Sequence, residues 1–143
     1  MICNVYIETS LNWNQRGNGV VAIAFQLDDM DARTTYGFVK NCSQSKAVLL
    51  GIAKALDYVS YKDIRLHLSC NAVGNALKNG WLESWETKLY QADNKGKVIK
   101  NAREWHSVFE KLSGRTIEIH LNEFNEYRSY LIAESKRRMK KHG

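Results

Sequence analysis

The chain of 143 residues lacks any apolar stretch long enough to cross a bilayer. Its longest unbroken hydrophobic run, Val20 to Phe25, falls far short of the ~20 residues that a membrane-spanning helix requires. Glu8 interrupts the only N-terminal segment that resembles a signal peptide. These absences favour a soluble, unexported protein, which we expect in the cytoplasm and not at a membrane.

Cysteine is scarce, and proline is absent altogether. Cys3, Cys42 and Cys70 form neither a CxxC pair nor the Cys/His spacing of a zinc site. An odd, scattered set of cysteines is typical of reduced thiols. We therefore predict no disulfide, no structural metal and no bound cofactor. To the absence of proline we assign no functional role.

The composition, 44% hydrophobic and 25% charged, is that of a globular protein and excludes disorder, collagen and coiled coil. The length suits one domain spanning residues 1–143. The net charge of +6 is unevenly distributed along this domain. Five Lys/Arg residues against one Asp fall within residues 88–103, and five more fall within a basic tail at 136–143. Such clusters favour binding to a polyanion, usually nucleic acid.

The hydrophobic pattern predicts a mixed α/β fold. Period-two or continuous apolar runs predict five strands: Ile2–Thr9, Val20–Leu27, Arg33–Val39, Asp63–Ser69 and Thr116–Leu121. Helical spacing predicts four main helices: one over Val48–Val59 that follows Ser43 or Ser45 as N-cap, one over Asn71–Asn79, one begun by Asn101 and Glu104, and one over Glu123–Met139. The helix before the fourth strand makes that strand parallel to an earlier one, so the sheet is mixed.

Several local strings, together with this element order, resemble ribonuclease H of type 1 over nearly the whole chain. The most specific string is Ala92–Asn101 (ADNKGKVIKN), which lies between Trp81 with Trp85 and Trp105 and resembles the basic protrusion of that family. Supporting strings are Val5–Thr9, Lys54–Asp57 and Leu66–Ser69. The resemblance implies an RNase H-like fold, a five-stranded mixed sheet whose first three strands are antiparallel, with helices on both faces. It also implies a basic protrusion at about residues 86–101.

The chemistry of that family requires four carboxylates that converge on two magnesium ions. The resemblance places Ser10, Val48, Cys70 and Tyr130 at those four positions, and none of them is a carboxylate. The loop before the last helix also lacks the histidine of the family. We therefore predict no metal site and no catalytic residue of the family type.

The candidate binding residues are aromatic and basic. Trp13 lies in a polar, glycine-containing loop, and Trp81 is as suited to a nucleic-acid contact as to the core, whereas Trp85 and Trp105 favour the core. The candidate nucleic-acid-binding residues are therefore Trp13, Trp81, Lys88, Lys95, Lys97 and Lys100.

Two other sites are conceivable. Glu118, His120 and His67 fall on strands expected to be neighbours, where they form either a metal or acid/base site or simply the exposed polar face of an edge strand. Cys70 is expected where a strand gives way to a helix, and the N-terminus of a helix is a position that activates nucleophilic thiols. Strand periodicity, however, directs His67 to the opposite face, which disfavours a Cys–His pair.

These observations favour a catalytically inactive ribonuclease H-like protein that binds nucleic acid by occupancy rather than cleavage. The nucleic acid is an RNA/DNA hybrid, double-stranded RNA or a single strand. The alternatives are a protein-interaction module that acts as an adaptor or inhibitor of a nucleic-acid-processing complex, and an enzyme with a relocated site.

Overall fold

The computed structural model describes residues 2–27, 30–79 and 100–142. Their helices and strands follow the order β1 Ile2–Thr9, β2 Arg16–Leu27, β3 Arg33–Ser43, α1 Gln44–Tyr58, β4 Asp63–Leu68, α2 Asn71–Lys78, α3 Ala102–Leu112, β5 Thr116–Leu121 and α4 Arg128–His142. None of the helices in these ranges is long and apolar enough to span a membrane.

The strands form one sheet in the order β3-β2-β1-β4-β5. β1 pairs with β2, and β2 with β3, in antiparallel register. β4 lies parallel to β1 and β5 parallel to β4. The predicted fold class is therefore confirmed, including the antiparallel first three strands.

Alternation along the strands gives the sheet two faces with different cores. The larger core is built on one face from side chains such as Val5 and Ile7 of β1, together with α1, α2 and α3. On the other face α4 covers β1 and β2, and Leu131 packs with Tyr6 and Ala24. Trp105 of α3 is 5% exposed and belongs to the larger core, as predicted.

β2 and β3 extend beyond the predicted hairpin. The sequence predicts that β2 begins at Val20, but the strand begins at Arg16, which pairs with Ser43 at the end of β3. The register shifts between Gly17 and Gly19, which is how a sheet accommodates an irregular glycine-containing stretch. β3 ends at Ser43, and α1 begins at the next residue. The Ser43 hydroxyl accepts a hydrogen bond from the backbone N–H of Lys46, as expected of the predicted N-cap.

The last helix begins later than the sequence predicts. α4 begins at Arg128 rather than Glu123. The side chain of Asn125 accepts hydrogen bonds from the backbone N–H groups of Tyr127 and Arg128, at 3.1 and 2.8 Å. An asparagine in this position satisfies the free N–H groups of a first helical turn. The helix also runs past Met139 to His142, so the basic tail is helical up to that residue.

The predicted start of a helix at Asn101 is confirmed, but without a side-chain cap. Asn101 stands at the N-cap of α3 in the left-handed conformation, with φ 62°, and its side chain makes no capping hydrogen bond. The Asx-x-x-Glu pattern marked the helix boundary correctly, but the reciprocal side-chain bonds of a capping box require extended backbone at the cap.

Candidate functional site

Three of the four positions that the resemblance assigns to catalysis lie around one end of the sheet. Ser10 follows β1, Cys70 follows β4, and Val48 lies in α1. Because β1 and β4 are parallel neighbours, their carboxyl ends meet at the same edge. Ser45 at the start of α1 joins this edge, with its Oγ 3.8 Å from the Sγ of Cys70.

The Ser10 hydroxyl is hydrogen-bonded to the backbone of β2. Its Oγ accepts a hydrogen bond from the N–H of Val20 at 3.0 Å, and its own N–H donates to the carbonyl of Val20, also at 3.0 Å. The Thr9 hydroxyl donates to the same carbonyl at 2.9 Å. Ser10 thus extends the β1–β2 pairing by one residue, and its hydroxyl proton is left as a donor.

Val48 and Cys70 belong to the apolar core, at 2% and 3% exposure. Cys70 lies on the α1 face of the sheet, whereas His67 lies on the α4 face and contacts Tyr6. Cys70 and His67 therefore face opposite sides, as the strand periodicity predicts, and no Cys–His pair forms between them.

Tyr130 does not join the other three positions. Its side chain is 55% exposed on α4. Its neighbour is Tyr36 of β3, whose phenol pKa is raised mainly by burial and further by the nearby phenol of Tyr130. α4 therefore directs Tyr130 to the β3 edge and not to the carboxyl ends of β1 and β4.

These four side chains do not fit the two magnesium ions that the resemblance implies. Magnesium prefers carboxylate and other hard oxygen ligands. The residues offer instead one hydroxyl bonded to a backbone N–H, one buried alkyl group, one buried thiol and one remote phenol. Within residues 2–27, 30–79 and 100–142, no three His, Cys, Asp or Glu side chains are grouped to hold a metal ion.

Glu8 is an acidic side chain buried near this edge, at 7% exposure. Its Oε2 accepts a hydrogen bond of 2.7 Å from the hydroxyl of Ser69, at the end of β4. Burial raises the pKa of Glu8 to about 7, although the Ser69 hydrogen bond and the charge of Arg128 oppose the shift. This carboxyl group therefore changes charge near neutral pH.

Three aromatic rings stack across β1, β4 and β5 on the α4 face. Tyr6, His67 and His120 are consecutive partners in the strand register. Their ring centroids are 4.3 Å apart for Tyr6–His67 and 4.9 Å apart for His67–His120, with nearly parallel planes. His67 Nε2 also lies 2.9 Å from Oδ1 of Asn4. Burial, and next the neighbouring His120, lower the pKa of His67 to about 4, so this ring is neutral at physiological pH.

His120 lies between two carboxylates. Its Nε2 is 2.9 Å from Glu118 and its Nδ1 is 3.1 Å from Glu123. The hydrogen bond with His120 is the main cause that lowers the pKa of the Glu123 carboxyl. The predicted grouping of Glu118, His120 and His67 is therefore real, but both ring nitrogens of His120 are occupied by carboxylates and His67 is bound to Asn4.

The predicted nucleic-acid-binding residues fall on different elements. Trp13 projects from the β1–β2 loop with 84% exposure. Lys100 is exposed immediately before α3, which packs on α1. Trp81, Lys88, Lys95 and Lys97 lie outside the described residues, as does most of the predicted protrusion at 86–101.

The sequence contained signals for part of this arrangement. Period-two alternation already places Tyr6, Glu8 and Ser10 on one side of β1. The partners of these residues on β4 are distant in sequence, and no local pattern indicates which residue lies opposite. The Glu8–Ser69 hydrogen bond and the three-ring stack were missed for this reason.

No protein-family model matches the sequence, and no curated protein matches it. Solved structures do match the fold. Ribonuclease H1 from the archaeon Halobacterium salinarum aligns with 96% of this chain and 99% of its own, with a TM-score of 0.66 and 13% identity. A foamy viral protease–reverse transcriptase, solved with double-stranded DNA, gives a TM-score of 0.73 at 12% identity over 95% of this chain and 91% of its own.

The N-terminal RNase H domain of a Mycobacterium tuberculosis protein, solved as a fusion with maltose-binding protein, aligns with 99% of this chain and 97% of its own. Its TM-score is 0.69 and its identity 10%. At such low identity the agreement concerns the fold. Together with the strand order and the helices on both faces of the sheet, these matches show that the chain has the ribonuclease H-like fold.

Proposed function

We propose that this chain is a catalytically inactive ribonuclease H-like protein that binds nucleic acid by occupancy rather than cleavage. The observation that carries the proposal is the donor chemistry at the carboxyl ends of β1 and β4. Ser10 is bonded to the β2 backbone, and Val48 and Cys70 are buried in the apolar core. No carboxylate replaces them at these positions, so the ligands of a two-metal reaction are lacking.

The net charge and the structural neighbours support a nucleic-acid partner. The chain carries 21 Lys/Arg residues against 15 Asp/Glu, and a basic protein attracts phosphate through counterion release. Two foamy viral protease–reverse transcriptase structures with this fold were solved with double-stranded DNA and with an RNA/DNA hybrid. Without acidic residues at Ser10, Val48 and Cys70, a phosphate that approaches this edge meets less repulsion for a metal ion to screen, and the nearby Glu8 is buried.

A cleavage assay tests the inactive half of the proposal. End-labelled RNA/DNA hybrid is incubated with the protein and either magnesium or manganese, and we expect no product above a buffer control. Product that disappears in a Ser10→Ala or Cys70→Ala variant would overturn the proposal, because it would place a reaction at these positions.

A mobility-shift series tests the binding half. The ligands are RNA/DNA hybrid, double-stranded RNA, double-stranded DNA and single strands, each with magnesium and with a chelator. We expect binding that persists without magnesium and weakens steeply as salt rises. Failure to shift any of these ligands at low salt would contradict the proposal and favour the protein-interaction module, whose apolar interface is much less sensitive to salt.

A further inference from the structure

A groove lies between the β1–β2 loop and the C-terminal half of α4. Its volume is about 490 Å³. The loop side is lined by Ser10, Asn12, Gln15 and Asn18, and the helix side by Lys136, Met139 and Lys140. Trp13, 84% exposed, belongs to the same loop. The groove therefore combines hydroxyl, amide, thioether and ammonium groups, and its loop also carries a large exposed aromatic ring.

Hydrogen bonds within the protein hold the loop side of the groove in place. The N–H of Gln15 donates to the carbonyl of Asn12 at 3.1 Å, and the N–H of Asn12 donates to the Gln15 side-chain oxygen at 3.0 Å. The Asn18 side-chain oxygen accepts from the N–H of Asn41 at 3.0 Å. Leu11 anchors the loop in the core at 2% exposure.

The same hydrogen bonds determine which atoms remain for a ligand. The side-chain oxygens of Gln15 and Asn18 accept backbone N–H groups, and so does the Ser10 hydroxyl. The amide NH₂ groups of Gln15 and Asn18 and the hydroxyl proton of Ser10 are left as donors. These donors suit a ligand rich in acceptors, such as a phosphate.

The positive charge of the groove also favours a phosphate ligand. Lys136 and Lys140 are exposed and one helical turn apart, so their ammonium groups lie on the same side of α4. Neither forms an ion pair within the described part of the chain, whereas the nearby Glu134 is bound by Arg137 and Arg138. Among the residues that the structure describes, no acidic side chain lines the groove. Two unneutralised ammonium groups therefore face the amide and hydroxyl donors of the loop.

Exposed aromatic rings beside lysines are characteristic of single-strand binding, in which bases stack on the ring while the cations follow the backbone. We propose, on the basis of the nucleic-acid-binding function above, that this groove holds the phosphate backbone of a single-stranded nucleic acid and that Trp13 stacks on one of its bases. Duplex RNA or DNA has its bases already stacked and offers no free face to Trp13. The groove thus favours single strands over duplexes.

The test measures, by fluorescence anisotropy, the affinity of the full chain for labelled oligo(rU) and oligo(dT) of about 12 nucleotides. The key variant is Lys136→Gln/Lys140→Gln. Lys54→Gln/Lys62→Gln is the matched control, because it removes the same charge at exposed lysines of α1 and of the turn before β4. Titrations between about 50 and 200 mM potassium chloride give the slope of log K against log salt.

We expect the Lys136→Gln/Lys140→Gln variant to flatten the slope by about 0.7 for each lost contact, or about 1.4 in total. The control variant should retain the slope. Trp13→Ala should weaken binding by about 5- to 150-fold at every salt concentration without changing the slope, since stacking releases no counterions. Circular dichroism and thermal unfolding should be unchanged in all three variants, whose substituted side chains are exposed.

The outcomes distinguish failure of the groove proposal from failure of the proposed nucleic-acid-binding function. Unchanged single-strand binding by Lys136→Gln/Lys140→Gln would overturn the groove and leave the nucleic-acid-binding function standing. An equal loss in the control variant would also overturn it, because the effect would then come from net charge alone. A loss limited to RNA/DNA hybrid would overturn the assignment to single strands. No binding of any strand by the unchanged protein would overturn both proposals.

Discussion

The carboxyl group of Glu8 is buried, and it accepts a hydrogen bond from the hydroxyl of Ser69. The bond joins the carboxyl ends of β1 and β4 and offsets part of the desolvation of the carboxyl group. The remaining cost appears as the pKa of about 7 in the folded chain, against an ordinary value of 4.5. The protonated group is therefore the favoured form in the folded state up to neutral pH.

The first prediction concerns the substitution Glu8→Gln. Below pH 4.5 the carboxyl group is protonated in both folded and unfolded chains. As pH rises from 4.5 to about 7 the unfolded chain ionises first, so the contribution of Glu8 to stability falls, and it stays low above pH 7. Glutamine keeps an oxygen for the Ser69 hydroxyl but never ionises. The free energy of unfolding of the variant should therefore exceed that of the unchanged protein by up to about 3 kcal/mol at pH 8 and by almost nothing at pH 4.

Urea unfolding at the two pH values measures this difference. Asp31→Asn is the control, because it makes the same change from carboxylate to amide at an exposed side chain. A gain of equal size at pH 4 and pH 8 would show that packing, and not the charge of Glu8, is responsible.

His67 has a pH dependence of the opposite sign. Its pKa of about 4 in the folded chain lies below the ordinary 6.5, because burial and His120 disfavour the charged ring. Its contribution to stability is complete above pH 6.5 and is lost as pH falls toward 4. Between pH 4.5 and 6.5 this loss on acidification opposes the gain from Glu8, so the two groups partly cancel in the pH profile of the unchanged protein.

NMR titration of the ring protons tests the second prediction. The His67 signals of the folded protein should hold their neutral positions down to about pH 4, whereas in urea the same ring should titrate near 6.5. In addition, His67→Gln removes the opposing contribution of the ring. The free energy of unfolding of this variant should therefore fall more steeply than that of the unchanged protein as pH rises from 4.5 to 7. A His67 midpoint near 6.5 in the folded chain would contradict the stacked, desolvated geometry.

At the scale of elements, the contact of α1 with the sheet depends on Gly51. A Cβ at this position would lie 2.6 Å from Cγ1 of Val21 and 3.1 Å from Cγ2 of Ile7. Both neighbours are buried side chains of the larger core. The helix therefore approaches the sheet as closely as it does because this residue has no side chain.

The third prediction is that Gly51→Ala destabilises the protein. Alanine favours a helix interior over glycine by about 1 kcal/mol, but overpacking a filled core costs about 1 to 3 kcal/mol, so the steric term prevails. The matched control is Gly37→Ala in β3, where the nearest atom to the added Cβ is the mobile Nζ of Lys54 at 3.5 Å. Urea unfolding should show a lower free energy of unfolding for the α1 variant and no loss for the β3 variant. Equal stability of the two would contradict the close packing of α1.

At the scale of the whole molecule, positive charge is present in two separated stretches of the chain. The lysines of α4 line a groove with the β1–β2 loop. The other stretch includes Lys88, Lys95, Lys97 and Lys100, of which only Lys100 is described, as an exposed side chain before α3. Each stretch is expected to contribute independently to the salt dependence of binding.

The fourth prediction concerns this second stretch. If Lys88, Lys95, Lys97 and Lys100 contact phosphate, changing all four to Gln should leave thermal unfolding unchanged, because lysines that reach a ligand from the surface contribute little to stability. Affinity for nucleic acid should fall, and the slope of log K against log salt should flatten by about 0.7 to 0.9 for each contact removed. Preference among strand types should change less, since phosphate contacts carry no information about the bases. Unchanged affinity and slope would mean that this stretch makes no phosphate contact.

Local patterns determined much of the architecture. Alternation in Ile2–Thr9 and Asp63–Leu68 predicts strands because one face of each is apolar, and Ser43 predicts the start of α1 because its hydroxyl can accept a free helical N–H. These features depend on residues within a few positions of one another. The helical crossover before β4 predicted that this strand is parallel to an earlier one, so that the sheet is mixed. The antiparallel pairing of the first three strands was implied by the resemblance to ribonuclease H. The fold class was therefore predictable from local patterns together with that resemblance.

Tertiary structure alone decided which distant residues meet. His67 lies between Tyr6 and His120 because the parallel register of β1, β4 and β5 aligns them. Lys136 and Lys140 face the loop after β1 because α4 begins at Arg128 and packs through Leu131 on Tyr6. The stacking of Tyr6 on His67 and the approach of α4 to the loop have no local signal, since register and helix placement result from packing all the elements together. In a strand, a shift of one residue would turn each ring to the other face.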